Sequence, residues 1–146
     1  MAFNAVELTE PTDDLIAALE AAGLPTDDLH EPGRRFFRFE NGEGLVGYGG
    51  LEQVGPDALV RSMVVPDGRR GGGHGGTILS RLETEAAHQG AAGLYLLTTS
   101  AAAFFQRRGY SVALRSAAPP AIAASRQFSR LCPASAAFMF KDLRIQ

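Results

Sequence analysis

The chain has 146 residues, a formal net charge of −2 and a hydrophobic content of 45%. This length fits a single domain over residues 1–146 with a buried core, and this hydrophobic content excludes a disordered chain. The charge is spread without long runs and no apolar run approaches a membrane span, so neither a nucleic-acid partner nor a membrane is expected.

The N-terminal half is predicted to place one strand and one helix before a three-stranded meander. Thr12 offers an N-cap, Leu15 and Leu19 share one helical face, and Gly23 ends that helix. Gly42 supplies the turn between the first two strands of the meander. In chain order, the predicted elements are a strand over residues 5–8, the helix between Thr12 and Gly23, a short helix over 25–29, and strands over 35–40, 44–54 and 59–65.

The C-terminal half is predicted to alternate helices with strands. A helix over residues 77–89 ends at Gly90, and the nearly all-apolar run over 93–98 is typical of a strand buried on both faces. The remaining predicted elements are a short helix over 101–108, a strand over 110–114, a helix over 120–131 and a closing strand over 136–143. This order predicts a mixed α/β fold, a mixed sheet with helices on both faces.

The segment over residues 64–76 carries the strongest functional signal. An apolar strand ends at Val65, two arginines follow, and five glycines fill six positions around His74. Glycines let backbone N–H groups converge without a Cβ, and the following helix adds unpaired donors and the positive end of its dipole. This arrangement predicts a socket for a dianion, with pyrophosphate as the best fit; a flexible loop without a ligand is the alternative.

Spacing separates three phosphate-binding patterns. The P-loop pattern fails because no Lys-Ser or Lys-Thr follows the glycines. Gly71, Gly73 and Gly76 meet the dinucleotide pattern G-x-G-x-x-G literally, but the short strand-to-glycine distance and the downstream acidic residue are missing. The third pattern, [Q/R]-x-x-G-x-[G/A], is met by Arg70, Gly73 and Gly75 between a strand and a helix.

The third pattern resembles the acetyl-CoA pyrophosphate loop of the GNAT N-acetyltransferase superfamily, whose element order matches essentially the whole chain. Residues 94–99, 104–110 and 131–136 are similar to the branch labelled arsenic-resistance N-acetyltransferase. The resemblance implies a mostly antiparallel twisted sheet of about seven strands and acetyl-CoA as cofactor. It implies acetyl transfer to the amine of a small molecule. A protein amine, and a catalytically silent acyl-CoA-binding module, are the alternatives.

The resemblance assigns the cofactor to two segments. The backbone of Met63, Val64 and Val65 would hold the pantetheine arm like an added strand, which is compatible with their side chains being core. The pyrophosphate role falls on Arg70, Gly71, Gly72, Gly73, His74, Gly75 and Gly76. His74 has space-filling as its alternative role.

The proton-transfer residues depart from the family pattern. Phe105 occupies the position where many members carry a tyrosine that protonates the leaving thiolate, and phenylalanine has no proton to donate. Tyr110 is the remaining phenol, with core packing as the alternative, and a thiolate can also leave unprotonated. Glu52, at the end of the glycine-rich strand, is the candidate base for the amine proton, with a solvated strand-end charge as the alternative.

Arg61, Arg115 and Thr98 are the candidate acceptor ligands. Arg61 is a charge inside an apolar strand, which is typical either of a polar pocket or of an ion pair, with Glu52 as the predicted partner. A guanidinium binds a carboxylate, phosphonate or arsenate-type group by bidentate contact. The expected acceptor is therefore small and anionic, either amino acid-like or an arsenical or phosphonate analogue.

The remaining expectations concern disulfides, metal sites, cellular location and oligomeric state. The single cysteine, Cys132, excludes an internal disulfide, and the three histidines lack metal-ligand spacing, so no metal site is expected. The N-terminus has no basic region followed by an apolar stretch, so a cytoplasmic location is expected. A homodimer is compatible with all of these features.

Overall fold

The computed structural model describes residues 3–66, 68, 73–126, 128 and 135–144. Within these residues, seven strands form one sheet, four α-helices pack on it, and a 3₁₀ turn spans Arg115–Ala117. The strands are β1 (Asn4–Glu7), β2 (Arg34–Asn41), β3 (Gly44–Val54), β4 (Asp57–Val64), β5 (Gly93–Thr98), β6 (Ser111–Val112) and β7 (Ala137–Asp142). The helices are α1 (Asp13–Ala21), α2 (His74–His88), α3 (Ala102–Gln106) and α4 (Pro120–Ala124).

The sheet has the strand order β1-β2-β3-β4-β5-β7-β6, and its pairings are antiparallel except for β4 with β5. This confirms the predicted mixed sheet. The parallel pair is registered only at Ala58 with Leu94 and at Leu59 with Tyr95. Both strands continue beyond these pairs, so β4 and β5 part and open the middle of the sheet.

Helices cover both faces because successive residues of a strand point to opposite sides. Phe37 packs under α2 with Leu82, whereas its neighbour Phe36 packs under α1 with Leu15. A third and smaller cluster lies around Ile122 of α4. Of the helices in the described residues, none combines the length and the apolarity that a bilayer crossing requires.

The glycines of β3 allow α2 to lie close to the sheet. A Cβ added at Gly49 would lie 2.9 Å from Leu82 Cδ1 and 3.3 Å from Ile78 Cγ2, both on α2. Carbon atoms that are not bonded to each other cannot approach that closely without displacement. The glycine at position 49 is therefore required for the packing of the helix that leads into the functional site.

Most predicted elements are present, with shifted ends. β3 and β5 have the predicted bounds, and the hydroxyl of Thr12 caps α1 by accepting from the N–H of Leu15 at 3.2 Å. The predicted helix over 25–29 is wrong: this segment is coil and turn, and it buries Asp28 and Leu29. One helical turn has little stability of its own, so side-chain contacts decide its conformation.

The glycine loop and the C-terminal elements also differ from prediction. α2 begins at His74 rather than at residue 77, because the last two glycines of the loop belong to the helix. The strand predicted over 110–114 is shorter and consists of β6 alone. The helix predicted over 120–131 ends at Ala124, and its residues 127 and 129–131 lie outside the described residues.

Candidate active site

A cavity of about 600 Å³ lies where β4 and β5 part. Three stretches of chain and four single residues line it: residues 60–65 at the end of β4, residues 96–101 at the end of β5 and residues 22–25 after α1, together with Gly75, Phe104, Phe105 and Ala136. Beyond Leu59, β4 has no registered partner on its β5 side. An unpaired strand edge can bind an extended ligand through backbone hydrogen bonds, and this volume is typical of a small-molecule site.

β4 carries a bulge beside this cavity. Its register with β3 steps from Gly50 opposite Arg61 to Tyr48 opposite Val64, so β4 has one extra residue in this interval. Ser62 adopts a φ of 56°, a left-handed conformation that costs a non-glycine residue energy and persists only where its surroundings hold it. Because a bulge re-aims the groups around it, Ser62 and the predicted cofactor segment face the cavity together.

The start of α2 lies at the same cavity. Gly73 is its N-cap with a φ of 75°, and the carbonyl of Gly73 accepts from the N–H of Thr77 at 3.3 Å. The first N–H groups of a helix have no acceptor within the helix, so the N–H groups around His74 and Gly75 are available to an anion. Gly75 lines the cavity, and His74, which does not line it, is half-buried. The remaining residues predicted for the pyrophosphate, Arg70, Gly71 and Gly72, lie outside the described residues.

Arg108 adds a positive charge beside this helix start, which the sequence did not indicate. Its guanidinium lies over the Phe104 ring at 3.8 Å and donates to the Phe104 carbonyl at 3.0 Å. A Cβ added at Gly76 would lie 3.0 Å from Arg108 Nε, and one at Gly75 would lie 3.2 Å from Phe104 Cζ. One feature of the sequence could have indicated this contact. Arg108 follows Phe104 by four residues, and side chains at this spacing can stack on each other in a helical turn.

Behind the cavity wall lies a set of four ionised side chains, which we call the buried charge cluster: Asp28, Arg34, Glu52 and Arg61. Both Nη atoms of Arg61 donate to Asp28 at 2.6 Å, and Arg34 Nη2 donates to Asp28 at 2.8 Å. The side chains of Asp28 and Arg61 are fully buried. Burial acts to raise the pKa of Asp28, but the hydrogen bonds from Arg61 and Arg34 outweigh burial and hold that pKa at about 2.

The cluster contains two of the predicted site residues. The predicted ion pair is present, with Arg61 Nη1 at 3.1 Å from Glu52 Oε1, and Arg34 Nη2 lies 3.6 Å from Glu52 Oε2. Glu52 does not line the cavity, and among the described residues no acidic side chain does. Arg61 lines the cavity, but its guanidinium is directed into the cluster. The base role of Glu52 and the acceptor-binding role of Arg61 stay predictions.

Tyr110 lies away from the cavity, between α2, α3 and β7. Its hydroxyl donates to Glu83 Oε2 at 2.9 Å, and Lys141 Nζ donates to the same oxygen at 3.1 Å. The Tyr110 ring packs edge-on against Phe105, whose side chain is buried. Burial and the Glu83 carboxylate both raise the pKa of Tyr110. These contacts are those of a core residue, and the acid role of Tyr110 stays a prediction.

Of the remaining predicted acceptor ligands, Thr98 lines the cavity and Arg115 does not. The hydroxyl of Thr98 accepts from the N–H of Ala101 at 3.0 Å, which fixes the turn into α3. Arg115 Nη2 donates at 3.1 Å to the carbonyl of Ala136, a residue that itself lines the cavity. The hydroxyl residues Thr99 and Ser100 also line the cavity beside Thr98, so the polar groups there are mostly neutral.

Comparison with known proteins identifies the type of site. A family model described as acetyltransferase (GNAT) domain matches residues 32–112. The structure is similar to an acetyltransferase of the GNAT family from Staphylococcus aureus Mu50, with a TM-score of 0.77 and 21% identity over 97% of this chain and 99% of that chain. No curated protein sequence matches the chain.

Two similar structures contain the coenzyme. N-acetylglutamate synthase from Neisseria gonorrhoeae, complexed with coenzyme A and N-acetyl-glutamate, has a TM-score of 0.74 and 18% identity over 96% of this chain and 35% of that chain. Rv2747 from Mycobacterium tuberculosis, in complex with CoA, has a TM-score of 0.71 and 18% identity over 94% of this chain and 98% of that chain. At these identities the likeness concerns the fold.

Proposed function

The chain belongs to the GNAT acetyltransferase family, and from this premise we propose that it transfers the acetyl group of acetyl-CoA to the amine of a small molecule. The observation that carries the proposal is the parting of β4 and β5 beside the start of α2. This arrangement brings an unpaired strand edge and the donors of a helix N-terminus to one cavity. Acetyl-CoA supplies the activated thioester when it is bound.

The residues present fit the two polar parts of this cosubstrate. The amides of the pantetheine arm match the backbone of residues 63–65, which continues the open edge of β4. The pyrophosphate matches the start of α2 at Gly73, His74 and Gly75, with the Arg108 guanidinium beside it. The assignment of Arg70, Gly71 and Gly72 to the same role rests on the family resemblance.

We assign the chemistry to neutral groups. Ser62, Thr98 and Ser100 line the cavity, and we propose that their hydroxyls donate to the oxygen that gains charge or accept from the amine. Because no acidic side chain of the described residues lines the cavity, we propose that the amine enters in its neutral form. The proton that the amine nitrogen loses on forming the amide passes to water.

Neither of the two predicted proton-transfer residues acts directly on the substrate in this proposal. Glu52 remains a candidate base only through an intervening water, because both of its oxygens face guanidinium groups. We assign Tyr110 to the packing of α3, because its hydroxyl is bonded to Glu83. With Phe105 beside the cavity unable to donate a proton, the thiolate leaves unprotonated.

The proposal also covers the charge of the acceptor, which we expect to be anionic. An anionic acceptor would be bound by Arg61 and Arg115, but its anionic group would have to compete with Asp28 for Arg61 and with the Ala136 carbonyl for Arg115. The similarity to the arsenic-resistance branch supports the inclusion of an amino-arsenical among the acceptors to be tested. The cavity also limits the size of the acceptor, because it must hold the reactive end of acetyl-CoA and the acceptor together.

The test is a panel of amines with acetyl-CoA, in which the released thiol is measured. The panel contains amino acids, an amino-phosphonate, an amino-arsenical, neutral primary amines and short peptides. Turnover of a free small amine, at least tenfold above that of any peptide, supports the proposal. Turnover of peptides alone supports the protein-amine alternative. Calorimetric binding of acetyl-CoA with no thiol release from any amine supports the silent acyl-CoA-binding module, and absence of binding overturns all three.

A further inference from the structure

The buried charge cluster connects parts of the chain that are far apart in sequence. Asp28 lies on the segment between α1 and β2, Arg34 and Glu52 lie on paired strand ends, and Arg61 lies on β4. Asp28 is at its centre, because its carboxylate accepts from both Nη atoms of Arg61 and from Nε and Nη2 of Arg34. Two acidic and two basic side chains leave the cluster with no net charge.

On one side the cluster reaches the bulge of β4. Arg61 immediately precedes Ser62, and Arg61 Nε donates to the Ser62 hydroxyl at 3.3 Å. Ser62 is the residue with the left-handed φ of 56°, and it lines the cavity. A strained conformation of this kind persists only if surrounding contacts hold it, and the clamped Arg61 side chain is such a contact.

On the other side the cluster reaches a wall of the cavity. Residues 22–25 line the cavity and lie on the same connecting segment as Asp28. No strand pairing of the described residues includes this segment. The attachments of the segment include the apolar contacts of Leu24 and Leu29, the ion pair of Glu31 with Arg126 and the hydrogen bond from the N–H of Gln53 to the Gly33 carbonyl. The carboxylate of Asp28 provides its charged attachment to β4.

We propose that Asp28 is a positioning residue of the acceptor side of the site: through Arg61 it fixes both the β4 bulge at Ser62 and the cavity wall over residues 22–25. This inference rests on the proposed acetyl transfer. Asp28 is fully buried, so it acts on the acceptor only through the groups that it holds. Of the two segments proposed for acetyl-CoA, the start of α2 shares no hydrogen bond or ion pair with the cluster among the described residues, whereas residues 63–65 lie at the bulge itself. Residues 22–25 are not among those proposed to hold acetyl-CoA. We therefore expect Asp28 to affect the acceptor more strongly than acetyl-CoA.

Two variants test this inference. Asp28→Asn keeps the shape of the side chain and removes the charge that holds Arg61, which leaves one positive charge in the cluster unbalanced. The double variant Asp28→Asn/Arg34→Gln restores the charge balance with Glu52 and Arg61, so it keeps the test valid if the single variant does not fold. Glu85→Gln is the matched control, because Glu85 forms a partly buried ion pair with Arg35 at 2.8 Å that lies outside the cavity lining.

Three measurements are compared in the full chain: hydrogen exchange over residues 22–30, calorimetric affinity for acetyl-CoA, and the kinetic constants for the best amine of the panel. We expect exchange over residues 22–30 to become about tenfold faster in the double variant, and kcat/KM for the amine to fall about tenfold or more. The affinity for acetyl-CoA should fall by much less than kcat/KM for the amine, because the start of α2 proposed for the pyrophosphate lies outside the cluster, and Glu85→Gln should match the wild type in all three measurements.

Two results would overturn the inference. One is unchanged exchange over residues 22–30 with unchanged amine kinetics. The other is an equal loss of acetyl-CoA affinity and amine kcat/KM with exchange raised across the whole chain, which is the effect of a purely structural residue. If the wild type binds acetyl-CoA and acetylates no amine, the proposed function fails separately, and the exchange measurement alone then decides whether Asp28 holds the wall.

Discussion

A charge placed at Gly75 would test directly whether α2 begins beside a bound pyrophosphate. Gly75 is suited to substitution because it lies within a helix and lines the cavity, whereas the φ of 75° at Gly73 would strain any side chain. We compare Gly75→Glu with Gly75→Gln, which have nearly the same shape. The Cβ of either variant meets Phe104 Cζ at 3.2 Å, so the steric effect is common to both and the difference isolates the charge.

The size of that difference follows from Coulomb's law. Two like unit charges 4 Å apart repel by about 1 kcal/mol in water and by about 4 kcal/mol near a protein surface. For a flexible glutamate beside a solvated pyrophosphate we take about 1–3 kcal/mol, so acetyl-CoA should bind roughly 5- to 150-fold more weakly to Gly75→Glu than to Gly75→Gln. The thermal stability of the two variants should be similar, because both replace a glycine in a helix by a better helix former.

Isothermal titration calorimetry at two salt concentrations is the assay. Since the Debye length falls from about 10 Å at 0.1 M salt to about 3 Å at 1 M, the gap between the variants should narrow at high salt. Acetyl-pantetheine, which lacks the pyrophosphate, should bind the two variants equally. The pair Ser80→Glu and Ser80→Gln, at an exposed position later in α2, is the control and should show almost no gap. Equal weakening by Gly75→Glu and Gly75→Gln at both salt concentrations would refute a pyrophosphate at this helix start.

Three further predictions concern Asp28, Glu52 and Tyr110. Because the pKa of Asp28 is lowered from 3.8 to about 2 in the folded state, its stabilisation is fully present above pH 4 and is lost as the pH falls through 2. This loss is about 2 kcal/mol of unfolding free energy in urea titrations, and it should be absent from Asp28→Asn. The Glu52→Gln variant should show the same rise of kcat/KM with pH as the wild type, because this rise follows the pKa of the amine substrate. A flattened pH profile in the variant would identify Glu52 as the base. Tyr110→Phe should lower the unfolding free energy by about 1.5–3 kcal/mol through the lost hydrogen bond to Glu83, with a wild-type pH profile of activity; a changed profile would restore Tyr110 as an acid.

The parts of the fold that follow from local pattern could be predicted from the sequence. The bounds of β3 and β5 were predicted because a glycine-rich strand and an all-apolar strand are limited by turn residues that lie next to them. The opening between β4 and β5 could not be predicted, because it depends on register, and register depends on contacts that span the sheet. The role of residues 63–65 as a strand edge open to the cofactor therefore came from the family resemblance.

The site residues illustrate the same limit at the level of side chains. Asp28 gave no local signal, since its partner Arg61 is 33 residues away in the chain. Tyr110 was singled out from its neighbours in sequence, but its hydroxyl bonds to Glu83, 27 residues earlier. The charge of Arg61 inside an apolar strand did indicate a buried ion pair with Glu52, because few other environments tolerate such a residue.

The short registered pairing between β4 and β5, at only two positions, has a consequence for the stability of the sheet. Strands β1 to β4 are consecutive in sequence and in space, and β5 to β7 form a second group. The registered backbone pairing between the two groups is limited to Ala58 and Leu59, while the core cluster under α2 contains side chains of both. A cosubstrate that pairs with the open edge of β4 would extend this pairing. The free energy of its binding would then also oppose separation of the two groups, by about 2.7 kcal/mol at a hundredfold excess over Kd. The folded state of the enzyme would therefore be more stable at a high concentration of acetyl-CoA than at a low one.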